Sequence, residues 1–189
     1  EACREASPNL CTAPSTADSG YAWGTNSSAN GRRYHPQNGL NWHQAGDFCA
    51  WLAPWGRLPT EAEWKLAASG PTHRIYPWGD SPEPTCENGL AVLNDEGNVE
   101  GFGCGQGGTW PAGSLLAGAA WCGALDMGGN LWEWTADWYH DNYNGAPPDG
   151  SAWLDPVGTN RVTTGGAFDS DQVRTARREK GQPDYEGAT

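Results

Sequence analysis

Apolar positions recur at helical spacing in two stretches of the chain. In the first, Trp42, Ala45, Phe48, Cys49 and Leu52 fall on one face, which predicts an amphipathic helix over residues 41–52. Asn41 stands where an N-cap is needed and Gln44 follows three residues later, the pattern of a capping box. The second stretch, Thr60 to Ser69, repeats that device with Thr60 and Glu63, and Gly70-Pro71 ends it. Upstream, Ser, Asn, Gly and Pro dominate from Ala13 to Gly39, which predicts loop. Beyond Pro71 no strong helical period returns. A long loop region runs to Ser114, an alternating segment spans Trp132 to Trp138, and a last segment runs from Arg161 to Arg177. With no internal repeat and no linker, residues 1–189 are expected to form one α+β domain. Two helices, a few short strands and much loop make it up.

Composition agrees with a turn-rich fold. The 189 residues include 27 glycines and 14 prolines, while 12 tryptophans and 6 tyrosines demand burial and exclude a disordered chain. A net charge of −12 excludes a general nucleic-acid binder, because phosphates would be repelled, and suits divalent cations. No apolar run reaches membrane-spanning length, and the start at Glu1 reads as a mature or trimmed end. Six cysteines, none in a CxxC pair, disfavour a zinc knuckle and predict loop staples in a secreted, periplasmic or cell-surface protein. Among the fifteen pairings that six cysteines allow, Cys3–Cys11 and Cys86–Cys104 are favoured because each pair flanks a short loop. Cys49 and Cys122 are left to pair with each other or with a partner outside the chain.

Ordered motifs then carry a resemblance. Residues 41–51 (NWHQAGDFCAW) and Gly56 to Trp64 (GRLPTEAEW) resemble the helix pair of the formylglycine-generating enzyme (sulfatase-modifying factor) family. Tyr76 to Asp80, Pro111 to Ser114, Gly123 to Trp134, Asp137 to Tyr139, Arg161-Val162 and Gly165 to Phe168 are similar to that family's later motifs. The resemblance implies a variant of the C-type-lectin fold. It also implies a chain trimmed at both ends, because the family usually has a strand-rich segment before Glu1 and a Gly-Phe-Arg-Cys type strand after Thr189. That strand's cysteine is the family's usual partner for the position of Cys49.

Two constellations bear on chemistry. Calcium takes six to eight oxygens, and Asp126 and Glu133 flank Gly128-Gly129-Asn130, which can bend the backbone to aim oxygens at one point. The resemblance implies a calcium site through the side chains of Asp126 and Glu133 and the carbonyls of Gly129 and Leu131, with Asp126 replacing a side-chain amide. The plainer alternative leaves Asp126 at a strand end and Glu133 as a hydrogen-bonded residue between core tryptophans. A second family calcium site falls near Asn88 and Glu100, where the spacing differs and Cys86–Cys104 is expected to replace it. The resemblance also implies an oxidase that turns a substrate cysteine into an aldehyde with oxygen and copper(I), held by two late thiolates. Here that stretch reads Gly165-Gly166-Ala167-Phe168 through Arg174-Thr175-Ala176, and no cysteine follows Cys122. A threonine hydroxyl does not replace a thiolate for copper(I), so copper is not expected.

Other candidates are weaker. His35, His43, His73 and His140 lack a 2-His-carboxylate spacing, which argues against iron-dependent relatives of the same fold. Gln182-Pro183-Asp184 mimics a sugar-binding tripeptide but stands at the family's ordinary Pro-Asp position. Trp55 and Trp153 are expected to be exposed. Arg174, Arg177, Arg178 and Lys180 form the one basic cluster of an acidic chain, read either as a solvated turn with internal ion pairs or as a surface for an acidic peptide. The expected function is an extracytoplasmic, calcium-stabilised, disulfide-stapled binding or structural module without the oxidase chemistry. The alternatives are an active sulfatase-modifying oxidase and a subunit of an extracellular assembly anchored by exposed tryptophans.

Overall fold

A computed structural model describes residues 32–95 and 101–185. Among the described residues two helices come first: α1, Trp42–Leu52, and α2, Glu61–Ser69. Also among the described residues, a 3₁₀ turn, Leu116–Gly118, precedes the short strands β1 (Glu133–Trp138), β2 (Arg161–Thr164) and β3 (Arg178–Gly181). The strands form one antiparallel sheet in the order β1-β2-β3. Glu133 pairs with Thr164 and Trp134 with Thr163, but Trp138 pairs with Arg161, so β1 bulges between Trp134 and Trp138. The segment expected from Arg161 to Arg177 is thus a strand followed by a turn-rich return to β3.

Both helices start as their sequences demand. The Asn41 side chain accepts from the Gln44 amide and the Gln44 side chain accepts from the Asn41 amide; Thr60 and Glu63 repeat the exchange. Arg57 donates twice to the Glu63 carboxylate, both at 2.7 Å, and together with the cap holds that carboxyl down at about 2 against an ordinary 4.5. A depressed folded value stabilises the fold above pH 4.5, and this contribution is lost as pH falls toward 2. Because the Glu63 side chain is 47% exposed, the pair contributes only about 0.5–1 kcal/mol. Glu63→Gln is expected to cost that much at neutral pH and to flatten the acid limb of a stability profile measured by urea unfolding.

Three apolar clusters make the core. Trp64 and Ala68 of α2 pack with Ala120 and Met127; Val92 packs with Leu131 and Phe168; Ala91 and Leu93 pack with Val173. The loops therefore carry as much of the core as the helices do. α1 departs from expectation, because Phe48 and Leu52 on its apolar face are exposed. It is held at its start: the Trp42 indole donates to Thr135 O and the Trp42 amide to Pro183 O. Trp55 is 93% exposed as expected, but Trp153 is buried, which corrects its assignment to the surface. Its ring stacks on His140 at 3.6 Å and its indole donates to Asp155 O. Cys86 and Cys104 form a disulfide, whereas Cys49 and Cys122 are free thiols and not a pair. Cys3 and Cys11 lie outside the described residues, as does Glu100 of the second calcium position.

Candidate functional site

The turn between the 3₁₀ segment and β1 places the first candidate set. Asp126 and Asn130 adopt left-handed backbone angles (φ 57° and 66°), as does Gly129 at 82°. At Gly129 only glycine fits, since a Cβ there would lie 2.3 Å from Val92 O. Asn130 pins the turn: its amide donates to Val92 O, its side-chain oxygen accepts from the Trp110 amide, and its carbonyl accepts from Phe168 N. Among the described residues, the carbonyl oxygens of Gly129 and Leu131 accept no hydrogen bond. A Cβ added at Gly165 would sit 3.8 Å from the carbonyl oxygens of both Leu131 and Met127, so these oxygens converge beside that glycine.

Two carboxylates belong to the same turn. Asp126 accepts from the Gly113 amide at 2.7 Å, and Glu133 accepts from the Trp64 indole at 2.5 Å. Burial pushes the Glu133 carboxyl up to about 7, and the negative charge of Asp126 adds to that while the Trp64 bond opposes it. No Lys, Arg or His pairs with either carboxylate among the described residues. The result is a turn that holds two carboxylates that repel each other and two unclaimed carbonyl oxygens, with no ion-paired cation on either carboxylate among the described residues. Trp64, Gly113 and Gly165 complete the setting. They lie 69, 13 and 39 positions from their partners or from Asp126, beyond the reach of a motif search.

The late stretch is ordered by other means. Ser170 caps a tight turn, its amide donating to Ala167 O and its hydroxyl accepting from the Ala167 amide. Phe168 is buried, and its carbonyl accepts from Gly103 N. The buried Thr175 donates its hydroxyl to Arg74 O at 2.6 Å and its amide to Ile75 O at 2.9 Å. No thiol lies between residues 123 and 189, and two of the cysteines upstream are joined as Cys86–Cys104.

The basic cluster splits into separate environments. Arg178 is spent internally: it pairs with the buried Glu61, donates to His140 O and lies 4.4 Å from the ring centres of both Tyr139 and Tyr143. Arg177 pairs with Glu179 at 2.6 Å and donates to Gln172. Lys180 pairs with Asp141, and Gln182-Pro183-Asp184 tethers α1 through Pro183 O and a 3.4 Å contact from His43 to Asp184. Arg174 alone of the three candidate arginines is exposed and turned away from these partners, toward the end of α2.

A loop-rich α+β domain of the C-type-lectin-like kind, with an acidic, carbonyl-lined turn, is the class these features define. The chain belongs to the sulfatase-modifying factor enzyme 1-like family, whose domain model matches residues 11–189. It is 34% identical over 151 residues to the formylglycine-generating enzyme of Thermomonospora curvata, covering 77% of this chain and 48% of that protein. To the Bos taurus enzyme it is 32% identical over 150 residues, covering 77% and 38%. The serine/threonine-protein kinase Pkn1 of Chlamydia trachomatis is 34% identical over 154 residues, 79% of this chain and 22% of the kinase. The chain thus spans less than half the length of these curated relatives. Among solved structures, PvdO from Pseudomonas aeruginosa superposes with a TM-score of 0.74 at 23% identity, covering 98% of this chain and 71% of PvdO. The Treponema denticola variable protein 1 gives 0.60 at 20% identity, covering 93% and 71%.

Proposed function

We propose that this chain is a family member without the copper oxidase chemistry, an extracytoplasmic module that binds a protein or peptide ligand and is stabilised by calcium and by its disulfide. The observation that carries this reading is the thiol-free late stretch. Where two thiolates would be needed, Ser170 closes a turn, Phe168 fills the core, and Thr175 spends its hydroxyl on the carbonyls of Arg74 and Ile75. Copper(I) needs soft sulfur ligands, and a hydroxyl that already donates to carbonyls is a hard, neutral oxygen. The residues present do not fit that metal.

They do fit calcium. Asp126 and Glu133 supply charge, the carbonyls of Gly129 and Leu131 supply neutral oxygens, and the uncompensated carboxylate pair supplies the driving force. Calcium bound there would tie β1 to the loops at Gly113 and Gly165. Its part is structural. The disulfide suits an oxidising compartment. Among the described residues no helix is long and apolar enough to cross a membrane.

Aldehyde formation on a cysteine-containing sulfatase-type peptide, with copper and oxygen supplied, tests the reading, and none is expected.

A further inference from the structure

Thr175 has a second consequence. By bonding Arg74 O and Ile75 O it fixes two segments side by side, 73–75 after α2 and 174–176 in the late stretch. Between them and the end of α2 opens a concavity of about 310 Å³, walled by Lys65, His73, Arg74, Ile75, Arg174 and Ala176. We propose that it binds a phosphate or sulfate monoester carried on a small apolar group. This rests on the binding-module reading above and names a ligand class for one end of its variable surface.

Four observations support an anion there. The guanidinium groups of Arg74 and Arg174 make no hydrogen bond or ion pair among the described residues, whereas Arg57, Arg177 and Arg178 are each paired with a carboxylate. No carboxylate lines the concavity, in a chain whose net charge is −12. Lys65, at its edge, has its charge drawn toward Glu61 at 3.0 Å, so the arginines and His73 are the groups left to meet a ligand. Several of the carbonyls that end α2 and would repel an anion already accept hydrogen bonds. Leu66 O accepts from Gly70 N and the Trp121 indole, Lys65 O from the Ser69 hydroxyl, and Ser69 O from Arg74 N.

The shape and chemistry narrow the ligand further. Two arginines, one from each of these neighbouring segments, offer planar forks that match the oxygens of a tetrahedral oxyanion. Ile75 and Ala176 are apolar and solvent-accessible, a surface for a compact hydrocarbon group beside the anion. The volume lies at the small end of ligand pockets, which suits an aryl or short alkyl ester and not a polymer.

Calorimetric titration of the protein with phenyl phosphate, phenyl sulfate and inorganic phosphate tests this. Saturable binding of at least one ester is expected, tighter than inorganic phosphate, and the two esters tell phosphate from sulfate as the source. Arg74→Gln and Arg174→Gln are each expected to weaken the ester by about tenfold or more, while Arg57→Gln leaves it unchanged. Melting temperatures of the variants separate lost contacts from lost folding, since both arginine side chains lie at the surface of the concavity. Absence of saturable binding at millimolar ester, or equal binding by all three variants, overturns the site. Equal affinity for inorganic phosphate overturns its apolar half. None of these outcomes bears on aldehyde formation, so this site and the binding-module reading fail separately.

Discussion

Removing calcium with a chelator is expected to lower the melting temperature by about 5–10 °C. A ligand present at a hundred times its dissociation constant stabilises the folded state by about 2.7 kcal/mol, and each kcal/mol moves the midpoint of a domain this size by about 2–4 °C. The reason is local. Glu133 and Asp126 share a turn with no ion-paired cation among the described residues, and burial already pushes the Glu133 carboxyl up to about 7. Calcium replaces repulsion with attraction at the same oxygens, whereas magnesium, which holds its waters in a strict octahedron, is expected to protect far less. Glu133→Gln keeps an acceptor for the Trp64 indole but removes the charge, so its melting temperature is expected not to respond to calcium. A wild-type chain that melts identically with calcium and with chelator would contradict the site.

Asp137→Ala is expected to cost about 2–6 kcal/mol, measured by urea unfolding in saturating calcium. One oxygen of this buried carboxylate accepts from the Glu61 amide at 2.7 Å and the other from the Trp153 amide at 2.8 Å. The first bond caps α2, and the second holds the segment that stacks on His140. Alanine leaves two buried N–H groups without an acceptor, at about 1–3 kcal/mol each. Burial raises the Asp137 carboxyl despite both bonds, so its charge is held against a desolvation cost. Asp137→Asn, which keeps one acceptor oxygen, is expected to fall between alanine and wild type. A loss below 1 kcal/mol for Asp137→Ala would mean that water reaches both amides.

How far the sequence carried the fold depends on the range of each interaction. The capping boxes at Asn41 and Thr60 close within four residues and were legible. So was the strand at Glu133–Trp138, by its alternation, and the Cys86–Cys104 staple across a loop. The faces of α1 were not, because Phe48 and Leu52 have helical spacing yet stay exposed, and the ring that Phe48 meets is Trp51 of the same helix. Trp153 was read as exposed because it lies outside the family motifs, yet it is buried by His140, thirteen positions away. Glu61, in the first turn of α2, gives no sign of its role in the sequence. It is buried and pairs with Lys65 one turn on and with Arg178, 117 positions on, a network only the folded chain brings together.

The turn proposed to hold calcium could be picked out as a set of residue types because Asp126, Gly129, Leu131 and Glu133 are close in sequence. Its electrostatic strain could not be, since it depends on Trp64 and on the absence of an ion-paired cation among the described residues. The basic cluster was legible as charge only. Its members share a stretch of seven residues but face different partners, and the two arginines that share a concavity, Arg74 and Arg174, are a hundred positions apart.

The chemistry turns on whether a chain with Thr175 and no late thiol can oxidise a cysteine. The direct measurement is mass spectrometry of a cysteine-containing sulfatase-type peptide incubated with the protein, copper(I) and oxygen, with a copper-free control and a formylglycine-generating enzyme run in parallel. The expected result is aldehyde from the parallel enzyme and only unmodified cysteine from this chain. Aldehyde that depends on both this chain and copper would contradict the reading, and would mean that the thiolates come from cysteines upstream of residue 123.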